Sequence, residues 1–186
     1  MREVMLTALS TVNVTSLHTA LEMSEVLKDI TVKSEELSSS AQVEAMSVLR
    51  DVSQSLLTIS DEQDHAKETT ATYLFSAMSN VLEATAKNDS DPISKRAISQ
   101  TLLSAVENLQ SALLIGKFPD NEPTVLVAPS ATMYINRLQS DQVGSASVNV
   151  HNVNTAAFKL PSITSMNVPL DRDEALDLRA SIKSFI

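Results

Sequence analysis

The sequence contains no cysteine and no tryptophan, and only 2 of its 186 residues are glycine. Without thiols there are no disulfides, iron–sulfur clusters or thiolate zinc sites. The usual cysteine test of compartment is lost with them. Gly116 and Gly144 cannot spell a dinucleotide-binding or P-loop motif, so phosphate-cradling loops of those kinds are excluded. Aromatic residues make up 3% of the chain, which leaves a core of Leu, Val, Ile, Ala and Met. No apolar run approaches the ~20 residues of a membrane span. The opening segment MREVMLTALS lacks the apolar centre of a signal peptide. In a secreted protein this chain is therefore expected to be an internal piece.

What is present describes a globular chain of one domain or two small ones. Hydrophobic residues make up 43%, and the mean hydropathy is close to zero. The net charge of −9 argues against nucleic acid or an anionic membrane surface as partner. The charges are dispersed, so no acidic tail stands out.

Hydrophobic periodicity predicts four helices in the first part of the chain. The first spans about Ser16 to Ile30, with Leu17, Ala20, Met23, Leu27 and Ile30 on one face and Val26 beside them. The second follows the cluster SEELSSS and runs to about Ser60. Val43, Ala45, Met46, Val48, Leu49, Val52, Leu56, Leu57 and Ile59 give it an apolar arc of roughly half the cylinder, the mark of a helix with several neighbours. Ser39 and Gln42 have the spacing of a capping box. The third runs from about Glu68 to Ala86, with Leu74, Phe75, Met78, Val81 and Leu82 as its stripe. The fourth begins at Asp91-Pro92, carries Ile98, Leu102, Ala105, Val106, Leu109 and Leu113, and ends at Gly116. Short links favour an up-and-down arrangement.

Helical periodicity fades after Gly116. Thr124 to Ala128, Ala131 to Leu138, Ser145 to His151 and Ala156 to Leu160 read as short strands separated by Pro, Asn, Ser and Gly. The expected class is α+β, with a four-helix N-terminal subdomain over 1–118. A partial antiparallel β-sandwich subdomain follows over 119–186. The apolar ending Ser184-Phe185-Ile186 adds the expectation that the sheet continues beyond this piece.

Candidate chemistry is sparse. His18 with Glu22 and Glu25 could form a helical metal clip, but a solvated helix face explains them better. His65 falls in the acidic link DEQDH and reads as an exposed loop residue. His151 closes a strand without ligand-spaced neighbours. Asp171, Asp173, Glu174 and Asp177 lack the glycine of a calcium loop and read as a solvated acidic turn. No Ser occupies a GxSxG elbow. Met23, Met46 and Met78 fall on helix stripes, where core packing explains them better than a Met-lined groove. No catalytic residue, metal site or cofactor is assigned. Two N-glycosylation sequons occur in predicted links, Asn13-Val14-Thr15 and Asn88-Asp89-Ser90.

The segment Thr31-Val32-Lys33-Ser34-Glu35-Glu36-Leu37-Ser38, with the Ala/Leu-rich helix behind it, resembles an extracellular region of the polycystin and receptor-for-egg-jelly family. There it lies before the first membrane span. The flanking LTALSTVNVTSLHTALEMSEVLKDIT and QSLLTISDEQ fit the same layout. SASVNVHNVNTAAFKLP looks like that region's early strands, with Phe158-Lys159-Leu160-Pro161 as their ending. The resemblance covers most of the chain through loose hydrophobic patterns. It implies a GAIN-type domain, in which a helical subdomain precedes a β-sandwich that leads to a proteolysis site. One departure matters. Self-cleaving members carry His-Leu/Ile-Ser/Thr, whereas the histidines here read His18-Thr19, His65-Ala66 and His151-Asn152, and the paired cysteines are absent. No catalytic role is carried over.

The resemblance implies a non-enzymatic ectodomain module on the extracellular side of a plasma or ciliary membrane protein. Its partners would be the rest of the sandwich and neighbouring ectodomains. Through the parent, a polycystin-type channel subunit in calcium signalling would be added. The alternative is an intracellular helical scaffold that binds partner helices. A small enzyme with an uncommon carboxylate site is the remote third reading.

Overall fold

The computed structural model describes residues 1–59, 64–87, 92–119, 121–139, 147–149, 157–159 and 175–183. The class is α+β, a helical N-terminal part followed by a small, partial antiparallel sheet. The helices are α1 (Arg2–Ser10), α2 (Leu17–Thr31), α3 (Ser39–Thr58), α4 (Asp64–Lys87) and α5 (Pro92–Leu114), with a 3-10 turn at Ser34–Glu36. The strands are β1 (Thr124–Ala128), β2 (Ala131–Gln139), β3 (Ser147–Asn149), β4 (Ala157–Lys159) and β5 (Ala175–Lys183).

The four helices expected from periodicity are α2 to α5, and α1 is additional. Its pattern is hard to see because it buries a single residue, Leu6, while Val4 and Met5 face solvent. Local chemistry sets the helix starts. Ser16 caps α2 by accepting the Thr19 N–H at 3.2 Å. The cap of α3 lies one residue earlier than the expected Ser39–Gln42 box: Ser38 accepts the Ala41 N–H at 3.2 Å. Gln42 cannot serve as a box partner, because it lies on the inward face with Ala45, Met46 and Leu49. It is buried, donating to the Leu37 carbonyl and accepting from Thr85, each at 3.0 Å. Gly116 does end the α5 region, at φ +81, the left-handed conformation that glycine adopts without strain.

Helix α3 packs against α1, α2, α4 and α5. Its arc is narrower than the pattern predicts, since Val43 is 46% exposed, but Ala45, Met46, Val48, Leu49, Val52 and Leu56 are buried. Helix α4 carries the sheet. Its face of Ala71, Leu74, Phe75, Met78 and Val81 is buried, and it packs against α2, α3, α5 and β1. Two polar ties align β1 with it. Thr124 Oγ1 donates to Glu68 Oε1 at 3.0 Å, and the Ser130 N–H donates to Ser79 Oγ at 3.2 Å. One tie is at the start of β1 and the other in the turn just after it, so the strand is held to α4 at both ends.

Strand order is β1-β2-β5, antiparallel throughout, with β3 and β4 as a separate pair. β1 and β2 are joined through Pro129 and Ser130, and Val125 faces Tyr134 in the register. β5 pairs along the whole of β2, from Ala131 opposite Lys183 to Gln139 opposite Ala175. This strand corrects the expected acidic turn at Asp177, which lies in β5 opposite Arg137. Leu126, Met133 and Ile135 belong to the same buried cluster as the helix residues. One core therefore continues from α5, which ends at Leu114, into the strands that start at Thr124.

Candidate functional site

The candidate residues do not converge. His18 Nε2 lies 3.3 Å from Glu22 Oε1 on the solvent face of α2, and both side chains are well exposed. Among the described residues no group of three His, Cys, Asp or Glu side chains could hold a metal ion. His65 is exposed, as expected, but it sits in the first turn of α4 and not in a loop, because α4 starts at Asp64. Met23, Met46 and Met78 are buried at 5%, 1% and 1% exposure, packed in the core. Asn13 is exposed in the link between α1 and α2, within reach of solvent. Asn88, Asp91, His151, Asp171, Asp173 and Glu174 lie outside the described residues.

One concave feature among the described residues lies where hydrophobic patterning gives no signal. A cleft of about 750 Å³ opens between α1, the C-terminal turn of α2 and the start of α3. Met1 and Met5 line one wall, Val26 and Ile30 the other, and Ala41 lies at the N-terminal end of α3. Its edges are charged. The Arg2 guanidinium donates to Glu36 Oε2 from Nε at 3.2 Å and from Nη2 at 2.8 Å, and its Nη1 donates to the Ile30 carbonyl. Glu3 Oε1 accepts from the Ser38 and Ser40 hydroxyls.

The electrostatics follow from those contacts. Hydrogen bonds from Ser38, then Ser40, hold the Glu3 carboxyl below its ordinary value of 4.5. The Arg2 guanidinium, then Lys33, does the same for Glu36. At neutral pH both are ionised and engaged, so neither is poised to take up a proton. A smaller recess of about 200 Å³ lies where α4 begins and α5 ends. Two of its polar side chains are engaged: Lys117 Nζ donates to the Glu122 carbonyl at 2.9 Å, and Glu68 accepts from Thr124.

Among the described residues no helix is long and apolar enough to cross a membrane. These features make surfaces and packing, and they offer no set of convergent acid, base and nucleophile. The serine pair that holds Glu3 was the signal available for the cleft: SEELSSS places several short hydroxyls beside a helix start. No protein-family model matches the sequence.

Proposed function

We propose that this chain is a non-enzymatic ectodomain module of a polycystin-like multipass membrane protein, of GAIN type. It supports the juxtamembrane sandwich and links distal extracellular domains to the membrane part. The parent then acts in calcium-permeable channel signalling, and the module's own contribution is mechanical support. The observation that carries this reading is the single core that runs from α3 through α4 into β1 and β2. A helical layer seated on a sheet in this way transmits position without hinging. The order of helices before sheet, and the corner that Thr31–Ser38 forms between α2 and α3, fit the resemblance drawn from the sequence.

Expression of the parent with compartment and glycan mapping tests the reading. Occupied Asn13 and Asn88 on a cell-surface protein are the expected result. A soluble, unmodified parent that works in the cytosol would sink it, leaving the intracellular scaffold that binds partner helices.

A further inference from the structure

Helix α1 is held differently from every helix beneath it. Helix α2 buries seven residues and α3 nine, whereas α1 buries Leu6 alone. Leu9 adds a partly buried contact with the core, and two polar clasps stand near the N-terminal end of α1. One is Arg2, whose Nε and Nη2 both donate to Glu36 Oε2 and whose Nη1 donates to the Ile30 carbonyl, and the other is Glu3 on Ser38 and Ser40. Ser38 is also the cap of α3, so this clasp is built onto an existing helix start. Nine residues are too few for a helix that is stable alone, where ~12–15 are marginal. Once detached, α1 therefore unravels. It also forms one wall of the 750 Å³ cleft, so its departure removes Met1 and Met5 and uncovers Ile30 and Ala41 beside Val26, which is already 38% exposed.

We propose that α1 is a releasable strap, which opens without the rest of the helical layer and converts the cleft into an exposed apolar shelf. The clasps set how often it opens. Their groups are all near solvent and so respond to ions. Around Glu36 stand Arg2 from α1 and Lys33, with Nζ 3.2 Å from Glu36 Oε1. Around Glu3 stand the hydroxyls of Ser38 and Ser40. On α2, Asp29 lines the cleft and pairs with Lys28 at 3.6 Å, while Glu22 pairs with His18 and Glu25 stands exposed. Acid discharges both carboxylates and salt screens the ion pair, so both favour release. The proposal does not depend on where the parent protein resides, and it stands or falls separately from the ectodomain reading.

The absence of cysteine supplies a clean test. Ala41 is 2% exposed and lines the cleft, whereas Ala105 in α5 is fully buried. In the full chain, an Ala41→Cys variant should react with a maleimide probe through strap opening, and an Ala105→Cys variant only through wider unfolding. Adding Arg2→Gln or Glu3→Gln should speed labelling at position 41 by about two- to fivefold, the range of an exposed ion pair. The same rise is expected for the unmodified clasp in ~1 M salt, where the screening length falls to ~3 Å. Labelling at position 105 should not change. Hydrogen exchange should give the same order without any cysteine, with α1 amides exchanging ~100-fold faster than those of Leu49 and Val52. Positions 41 and 105 labelling in step, or clasp variants without effect on α1 exchange, would overturn the proposal.

Discussion

Thr85 Oγ1 donates to Gln42 Oε1 at 3.0 Å inside the helical layer, tying α4 to α3 through side chains that are 7% and 0% exposed. Gln42 Nε2 reaches the Leu37 carbonyl as well, so one amide serves the helix start and the helix pair together. A second cross-helix tie joins Asn80 Nδ2 to Thr31 Oγ1 at 3.3 Å. Buried polar pairs of this kind set the register of neighbouring helices, since a shift by one turn leaves the groups unsatisfied.

Gln42→Ala should destabilise the fold by about 1–3 kcal/mol, the cost of unsatisfied buried groups. Urea denaturation at neutral pH measures it. A change within experimental error would show that the amide adds nothing to register.

Core and surface positions on α3 should separate sharply. Leu49 is fully buried, so Leu49→Ala is expected to cost about 2–5 kcal/mol. Val43 is 46% exposed, and Val43→Ala should stay within about 0.5 kcal/mol. Equal effects in thermal denaturation would contradict the orientation of the helix.

Gly116→Ala meets no atom within 4 Å of the new Cβ, so any loss comes from the backbone at φ +81. The expected cost is about 1–2 kcal/mol. Gly116→Asn should lose less, since Asn tolerates this conformation. Denaturant titration of the two variants side by side checks the order.

Acid should loosen α1 first. Glu3 and Glu36 have folded-state values below their ordinary 4.5, so their contribution is full above that value and is lost as pH falls through the lowered ones. At the alkaline end the sign reverses for Lys87. Its value is raised above 10.5 by Glu83, so its contribution is present below 10.5 and fades as pH rises past the raised value. Exchange of α1 amides followed from pH 6 to pH 3, corrected for intrinsic rates, should rise relative to α3. Glu3→Gln with Glu36→Gln should flatten that rise.

Strong periodicity made α2 to α5 legible, because each buries a stripe wide enough to repeat several times. α1 was not legible, since one buried leucine has no period. β1 and β2 were readable from Pro123, Pro129 and the apolar positions between and beyond them. β5 was missed although its signal was present: Leu176, Leu178, Ala180 and Ile182 alternate with Asp177, Arg179, Ser181 and Lys183. The acidic residues Asp171, Asp173, Glu174 and Asp177 read together as a solvated turn, and that reading hides the alternation. Gln42 misled for a different reason, since a glutamine three residues after a serine satisfies the box pattern whichever way its side chain turns. The cleft beside α1 depends on tertiary placement of an unread helix, and so lay beyond any periodic signal.

The strand order β1-β2-β5 has a consequence for timing. β2 meets β1 across a two-residue turn, but its other partner arrives only after Gln139 and Ala175 have been brought together from distant points in the chain. Closing a long loop costs entropy before the new pairing offsets it. The hairpin on α4 can therefore form while the last strand is still being synthesised, with one side of β2 bare until then. During that interval the open ladder of β2 is the part of the nascent protein most in need of protection from other strands.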